Sequence, residues 1–304
     1  MAPWLSVLMP TYNGASYLAA ALESVVAQDD QDIEVLVADD GSTDGTLELV
    51  RRYQKRLAIR IVQQEKKANW VAGTNAALRA AEGEYACVLH QDDLWLPGRA
   101  AAIRKARPFS LLVHPAVFIG ADGKRLGLWR TPLAEGTVTS SQFLEHLLVQ
   151  NFLAMPSPVF SRDASLPEGL DEDLWYTADW DLWLRLGARG PVRSLVEPLA
   201  AFRIHPASQT MARERTDLGR QLRVVLARHF GPWAAAVSSP VAERVRKVAG
   251  FSVEVNVALA AAQRGKSGTA LALAPRFLRL GPTAWARFFR DSRLPERVWA
   301  RLRS

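Results

Sequence analysis

Ile33-Glu34-Val35-Leu36-Val37-Ala38-Asp39-Asp40-Gly41-Ser42-Thr43-Asp44 is the stretch that decides the fold. Its first six residues are apolar at every position but one, a run that suits a strand covered on both faces. Two carboxylates end it, and Gly41-Ser42-Thr43-Asp44 turns the chain into a helix expected over residues 46–57. Upstream, Leu5-Ser6-Val7-Leu8-Met9 is a short apolar strand closed by Pro10. Ser16 is placed to cap a following helix, in which Tyr17, Leu18, Ala21, Leu22, Val25 and Val26 recur at helical spacing. Downstream, residues 59–62 return as a strand, and a helix around residues 74–81 stops at Gly83. A strand over residues 85–90 follows. Four strand units joined by three crossovers predict an α/β fold, a mostly parallel sheet with helices on both faces.

From residue 111 the pattern loosens. Ala121-Asp122-Gly123-Lys124 marks a hairpin turn, residues 142–149 read as a helix and Val159-Phe160 as a strand. Residues 179–186 form an amphipathic helix ended by Gly187 or Gly190, and residues 195–204 read as extended. Beyond Met211 the chain is helical and Arg-rich, with breaks expected at Gly231-Pro232, Pro275 and Gly281-Pro282. Residues 1–215 are thus expected as one α/β domain and residues 216–304 as a small, basic, mostly helical appendage. Charge follows the same division. Residues 217–304 hold 16 Lys+Arg and 5 Asp+Glu, net +11, against 22 and 26, net −4, for residues 1–216. The single cysteine, Cys87, excludes a disulfide framework and a multi-cysteine metal site, and reads as a buried strand residue. With no basic segment ahead of the first apolar stretch and no apolar run of about 18 residues, a cytoplasmic location without a membrane span is expected.

Leu89-His90-Gln91-Asp92-Asp93 closes a strand on adjacent carboxylates. Like charges within a few Å repel and raise one pKa, so the pair calls for a positive partner. A hard divalent cation is one answer, since it takes one or two carboxylates and completes its shell with water and substrate phosphates. A cap on a helix starting near Pro97 is the other. Asp39-Asp40-Gly41-Ser42 poses the same choice between ligand contact and ordinary turn chemistry. Both acidic ends, with Pro10-Thr11-Tyr12-Asn13, fall where doubly wound sheets bind ligands. The phosphate-loop and dinucleotide glycine fingerprints are absent from the sequence. A nucleotide would therefore be held by metal and side chains, not by a glycine nest.

Val7-Leu8-Met9-Pro10-Thr11-Tyr12-Asn13, then Val37 to Asp44, then Asn75 ahead of Glu82-Gly83-Glu84-Tyr85, and finally Asp92-Asp93 resemble the family 2 glycosyltransferases of GT-A fold. The likeness runs over roughly residues 4–210. It implies an inverting, nucleotide-sugar-dependent glycosyltransferase in cell-surface polysaccharide or glycoconjugate synthesis. It puts Pro10, Thr11, Tyr12, Asn13, Asp39, Asp40 and Asn75 around the nucleoside. The family's Asp-x-Asp falls on Gln91-Asp92-Asp93. With Gln91 replacing the first acid, the resemblance makes Asp93 the direct ligand of Mn²⁺ or Mg²⁺ and puts Asp92 nearer the ribose or sugar. Thr177-Ala178-Asp179-Trp180-Asp181-Leu182-Trp183-Leu184-Arg185 is similar to the family's base segment, with Ala178 where Glu is common. Asp179 is then the base; a first-turn acid stabilised by the helix dipole is the plainer reading. Phe202-Arg203-Ile204-His205, with Ser208 and Thr210 beyond, resembles the family's Tyr-Arg-x-His segment. That makes His205 a further metal ligand and Arg203 a diphosphate partner, against an ordinary loop pair. Trp175 or Trp180 is offered to a sugar ring, and Trp183 to the core.

The resemblance favours a UDP-sugar donor and a saccharide or lipid-linked acceptor, with no nucleic acid. A nucleotidyltransferase would share the metal logic, but normally carries a Gly- and Arg-rich loop that Pro10-Thr11-Tyr12-Asn13-Gly14 lacks. A non-enzymatic binder of nucleic acid or an anionic surface would draw on the basic tail. There, Ala274 to Leu280 and Trp285 to Arg290 mix cations with bulky apolar residues. That composition suits peripheral contact with an anionic leaflet, or helix faces packed on the rest of the chain.

Overall fold

Strand β1 (Leu5–Thr11) is buried along its whole length, third from one edge of an eight-stranded sheet. In the computed structural model, which describes residues 2–62, 69–162, 169–206, 217–262 and 273–303, it is followed by α1 (Ala15–Val26), β2 (Ile33–Asp39), α2 (Thr46–Tyr53), β3 (Ala58–Val62), α3 (Trp70–Ala80) and β4 (Tyr85–Val88). β1 runs parallel to β2 on one side and to β4 on the other, with Val7 opposite both Val35 and Cys87. Chain order therefore reverses at the β1–β4 seam, the kind of switch point where loops splay apart and leave a crevice.

The chain continues through β5 (Leu94–Trp95), α4 (Arg99–Ala106), β6 (Leu111–Val113), β7 (Ala116–Ile119), β8 (Arg125–Trp129), β9 (Gly136–Val138), α5 (Ser140–Leu147), β10 (Val159–Ser161), α6 (Ala178–Arg189), β11 (Val192–Ser194) and β12 (Ala200–Arg203). The large sheet is ordered β3-β2-β1-β4-β10-β6-β11-β9, and a small one β5-β12-β7-β8. The predicted hairpin is β7–β8, closed at Gly123, whose φ of 81° needs a glycine.

Local chemistry moved several boundaries. α1 is capped by Gly14, not Ser16, and the free amide of Ala15 is taken by Asp44 across the site. α3 begins at Trp70, earlier than expected, because Asn69 caps it by accepting from the Val71 amide. α5 starts at Ser140, where Thr139 and Gln142 form a reciprocal capping box. α6 runs through Gly187 and stops at Gly190. A Cβ at 187 would lie 2.4 Å from the Phe143 ring, so glycine is there to let α5 and α6 approach. Gly231-Pro232 breaks nothing.

That pair lies inside α7 (Leu218–Ala235), followed by α8 (Ser239–Ala262), α9 (Ala274–Leu280), α10 (Pro282–Ser292) and α11 (Leu294–Leu302). These C-terminal helices pack on the α/β part of the chain. Leu222, Val225, Trp233, Val245, Val248, Phe251 and Phe288 belong to the same buried apolar cluster as Leu8, Phe143, Phe160, Trp180 and Trp183. At roughly 1.5–3 kcal/mol per fully buried large side chain, the shared interface is a large part of what holds both halves folded. No described helix is long and apolar enough to cross a membrane. Ser208, Thr210 and the expected boundary at 215/216 lie outside the described residues.

Candidate active site

At the β1–β4 seam a cavity of about 500 Å³ opens between the loops. Gln91, the residue standing in for an acid, ties those loops together. Its Oε1 accepts from the Tyr12 amide at 2.9 Å and its Nε2 donates to the Tyr12 carbonyl at 3.0 Å. A carboxylate has no donor and makes only the first of these bonds. Gly14 sits so close that a Cβ there would meet Gln91 Oε1 at 2.3 Å. The same loop is woven onto the one after β2. The Asn13 amide donates to Ser42 Oγ, the Thr43 amide donates to Asn13 Oδ1, and the Gly14 amide donates to Thr46 Oγ1.

Beyond Gln91 the chain turns at once, with the Asp93 amide bonded to the His90 carbonyl. α4 begins only at Arg99, capped by Gly98, so the two acids do not cap it. The turn brings His90, Asp92 and Asp93 together, one ligand atom from each lying within 4.8 Å of the others. Asp93 is 1% exposed, and its Oδ1 accepts from the Arg203 amide at 2.9 Å. Its Oδ2 and His90 Nε2 are buried without a protein partner. Burial first, and the neighbouring Asp92 second, push the Asp93 carboxyl well above the usual range. Burial also works against a charge on Asp92, but the hydrogen bond from His205 and the nearby His90 hold that carboxyl below its ordinary value. Burial lowers the His90 pKa. Two carboxylate oxygens and a neutral imidazole nitrogen, two of these atoms lacking partners, fit a divalent cation such as Mn²⁺ that accepts both N and O ligands.

On the opposite wall Asp179 stands at the start of α6. Its Oδ1 accepts from the Trp180 amide at 2.7 Å and its Oδ2 from Asn151 Nδ2 at 2.8 Å. Burial raises its pKa to about 6 despite those two donors. Asp181, two residues on, faces the other way. It is fully buried and gathers Arg185, Arg228 and His229 at 2.8 Å each. This cluster fastens α7 to α6 from behind Asp179.

Of the residues expected at the site, Pro10, Thr11, Tyr12, Asn13, Asp40, Asp92, Asp179, Trp180, Arg203 and His205 line the cavity. Others have different work. Asn75 is not in the wall; its amide brackets Leu170, accepting from that residue's N–H and donating to its carbonyl, and so pins the loop ahead of α6. Asp39 also stands outside the wall, its carboxylate taking the amides of Gly41 and Ser42 to close the turn. Asp93 lies behind Asp92. Arg203 borders the cavity, but its Nε donates to the Asp92 carbonyl and its Nη1 to the Gly120 and Ala121 carbonyls. It braces the acidic turn, and those donors are not free for a diphosphate. His205 Nε2 meets Asp92 Oδ2 at 2.9 Å, so it buttresses an acid of the cluster from outside the three. Trp180 is 2% exposed and donates to the Leu147 carbonyl, which makes it a packed wall and not an open stacking platform. Trp183 is core, as expected.

Sequence reasoning missed His90, Gln91 as a latch, Asn151, Thr177 and Asp181. Thr177 lines the cavity with a buried hydroxyl that has no partner. His90 stood in plain view beside the acids, but was absorbed into a strand expected to reach residue 90. Leu222 and Arg297, from the C-terminal helices, also line the cavity.

Residues 6–106 match the glycosyl transferase family 2 domain. An uncharacterized glycosyltransferase of Nostoc sp. is 29% identical over 219 residues, covering 68% of this chain and 67% of that protein. Among solved structures, S. aureus TarS 1-349 in complex with UDP-GlcNAc superimposes with a TM-score of 0.64 at 21% identity, over 83% of this chain and 72% of that one. Mannosyltransferase PcManGT from Pyrobaculum calidifontis, in complex with GDP-Man and Mn²⁺, gives 0.50 at 21% identity, over 96% and 86%. The fold is the GT-A fold expected. The matched residues run from β1 through the acidic turn to the end of α4, and so supply the side of the cavity where the strand ends converge; over residues 6–106 the chain carries a glycosyl transferase family 2 domain.

Proposed function

We propose that the chain moves a sugar from a nucleoside-diphosphate sugar, a UDP-sugar by preference, to an acceptor hydroxyl with inversion at the anomeric carbon. The observation that carries this is the opposition of two acidic groups across one cavity. A three-residue cluster sits on the nucleotide side and a single carboxylate with a pKa of about 6 sits on the other. A base poised near the working pH combines the right protonation state with proton-accepting strength. In this reading Asp179 Oδ takes the proton from the acceptor hydroxyl as its oxygen attacks, while Asn151 holds the carboxylate in place. A single displacement inverts the carbon.

On the donor side, Thr11, Tyr12, Asn13 and Asp40 hold base and ribose. His90, Asp92 and Asp93 would hold a divalent cation, Mn²⁺ or Mg²⁺, which supplies charge stabilisation to the departing diphosphate. His205 and Arg203 keep the two acids in register. Thr177 offers its unpaired hydroxyl to a sugar or acceptor oxygen. The biological setting is synthesis of a cell-surface polysaccharide or glycoconjugate, with a saccharide or lipid-linked acceptor presented at the cytoplasmic membrane face.

Ligand that binds only the folded state raises the melting point. A thermal-shift screen of UDP, GDP and thymidine diphosphate is expected to show a nucleotide shift that grows when Mn²⁺ is added. No shift with any of them would sink the donor reading. Gln91→Ala should weaken UDP–Mn²⁺ binding about tenfold, because two hydrogen bonds of roughly 0.5–1.5 kcal/mol each vanish and the Tyr12 loop loosens. Titration calorimetry reads this directly, and an unchanged affinity would show that the latch does not shape the site.

A further inference from the structure

We infer that the exposed face of α9 and α10 docks on an anionic lipid surface, which places the cavity at a membrane. This rests on the reading of the chain as an enzyme whose acceptor is presented at such a surface, and it assigns the residues that make contact. Helix α9 contributes no buried residue. Leu278, on that helix, is 66% exposed, and Phe289 on α10 is 43% exposed. Phe289 belongs to an aromatic ridge that begins at Phe277, the residue before Leu278. The Phe277 ring lies 5.9 Å from Phe289 and stacks on Trp285 at 5.2 Å, and its other neighbour Phe251 ties the ridge to α8.

Cations flank the apolar side chains. Arg276, Arg279 and Arg290 are exposed; Glu254 meets the first at 2.7 Å and the buried Asp291 meets the third. The whole segment from residue 217 carries net +11, while the rest of the chain is net −4. Apolar side chains ringed by arginine suit a headgroup boundary, where the hydrocarbon parts insert and the cations meet phosphate. A second copy of this chain is the less suitable occupant, because a two-fold contact would set the same arginines against one another.

The geometry gives docking a purpose. α10 is fastened to α5 by Arg287 with Glu145 and by Asp291 with His146. α5 leads into Gln150 and Asn151. Ser252 and Asn256 of α8 bond Gln150, and Asn151 holds the base. A surface that immobilises α9 and α10 therefore fixes the orientation of the wall carrying Asp179.

The test is cosedimentation of the full chain with phosphatidylcholine vesicles holding about 30% phosphatidylglycerol. Since exposed charges are screened beyond about 10 Å at 0.1 M salt and about 3 Å at 1 M, binding is expected at low ionic strength and should be lost near 1 M salt and on pure phosphatidylcholine. Arg279→Gln should lower the partition coefficient about fivefold. Leu278→Ser with Phe289→Ser should lower it at least tenfold, with the melting point and the UDP–Mn²⁺ thermal shift unchanged. Absence of vesicle binding at low salt, or binding indifferent to these variants, overturns the inference. So does a dimer in sedimentation velocity that the Leu278→Ser variant dissociates, since the ridge would then face a second copy. The nucleotide shift keeps this result separate from the fate of the donor reading.

Discussion

Asp179→Asn is expected to lower kcat by about 10²- to 10⁴-fold, the range that removal of a general base commands, while the UDP–Mn²⁺ thermal shift is retained. The wild-type profile supplies the companion result. A base works deprotonated, so kcat/KM should rise with pH through about 6, where burial has placed the Asp179 pKa. Asn151→Ala removes an amide that favours the charged form, and the rising limb should then move to higher pH. Stability runs the other way. Because the folded pKa is raised above the unfolded value of 3.8, this carboxyl's contribution is fully present below about pH 4 and is lost as pH rises through about 6. The loss is of order 3 kcal/mol for a shift of roughly two units. Asp179→Asn should therefore raise the melting point at pH 8 while it lowers kcat. Near-normal turnover in this variant would remove Asp179 from the chemistry.

Asp181→Ala is the variant with the largest expected effect on folding. One buried carboxylate serves Arg185, Arg228 and His229. Arg228 would keep Asp171 at 3.0 Å, but Arg185 and His229 would lose their carboxylate, and removing a buried partner costs roughly 3–5 kcal/mol. The melting point at pH 7 should fall on the order of 10 °C. The hydrogen bonds from His229 and Arg185 outweigh the burial penalty and hold the Asp181 pKa at about 2. The group is depressed in the folded state, so its contribution is present above the unfolded value of 3.8 and is lost as pH falls through about 2. Wild type and variant should accordingly converge in stability in strong acid. Differential scanning calorimetry across pH measures both effects, and a melting point within about 2 °C of wild type at pH 7 would show that the cluster does not fasten α7.

The central strands were legible because burial on both faces demands nearly continuous apolar runs, and β1, β2 and β4 each have one, broken by Ser6 in β1 and Glu34 in β2. The acidic strand ends were legible because charged pairs have few reasons to sit there. Long-range partners were not. Nothing local distinguishes Asn75 pinning Leu170, 95 residues away, from an asparagine holding a ligand. Nothing in Thr177 to Arg185 announces that its second acid answers Arg228 and His229 on another helix. His90 was hidden by one misplaced boundary: β4 ends at Val88, and the turn that follows swings the imidazole toward the acids. Gly231-Pro232 read as a break on propensity alone. Burial of the adjacent Trp233, whose indole donates to the Ser141 carbonyl, fixes that end of α7 against the rest of the chain.

The apolar cluster that runs without interruption from β1 into α7, α8 and α10 sets a limit on modularity. A catalytic half and its tail could be imagined as separable cassettes, yet here Leu222 and Arg297 from the tail line the cavity. A chimera that exchanges the C-terminal helices to redirect acceptor choice would inherit a mismatched seam unless Phe143, Leu147, Trp180 and Trp183 were exchanged with them. The cavity's shape and the chain's foldability rest on neighbouring side chains, so neither can drift far without the other.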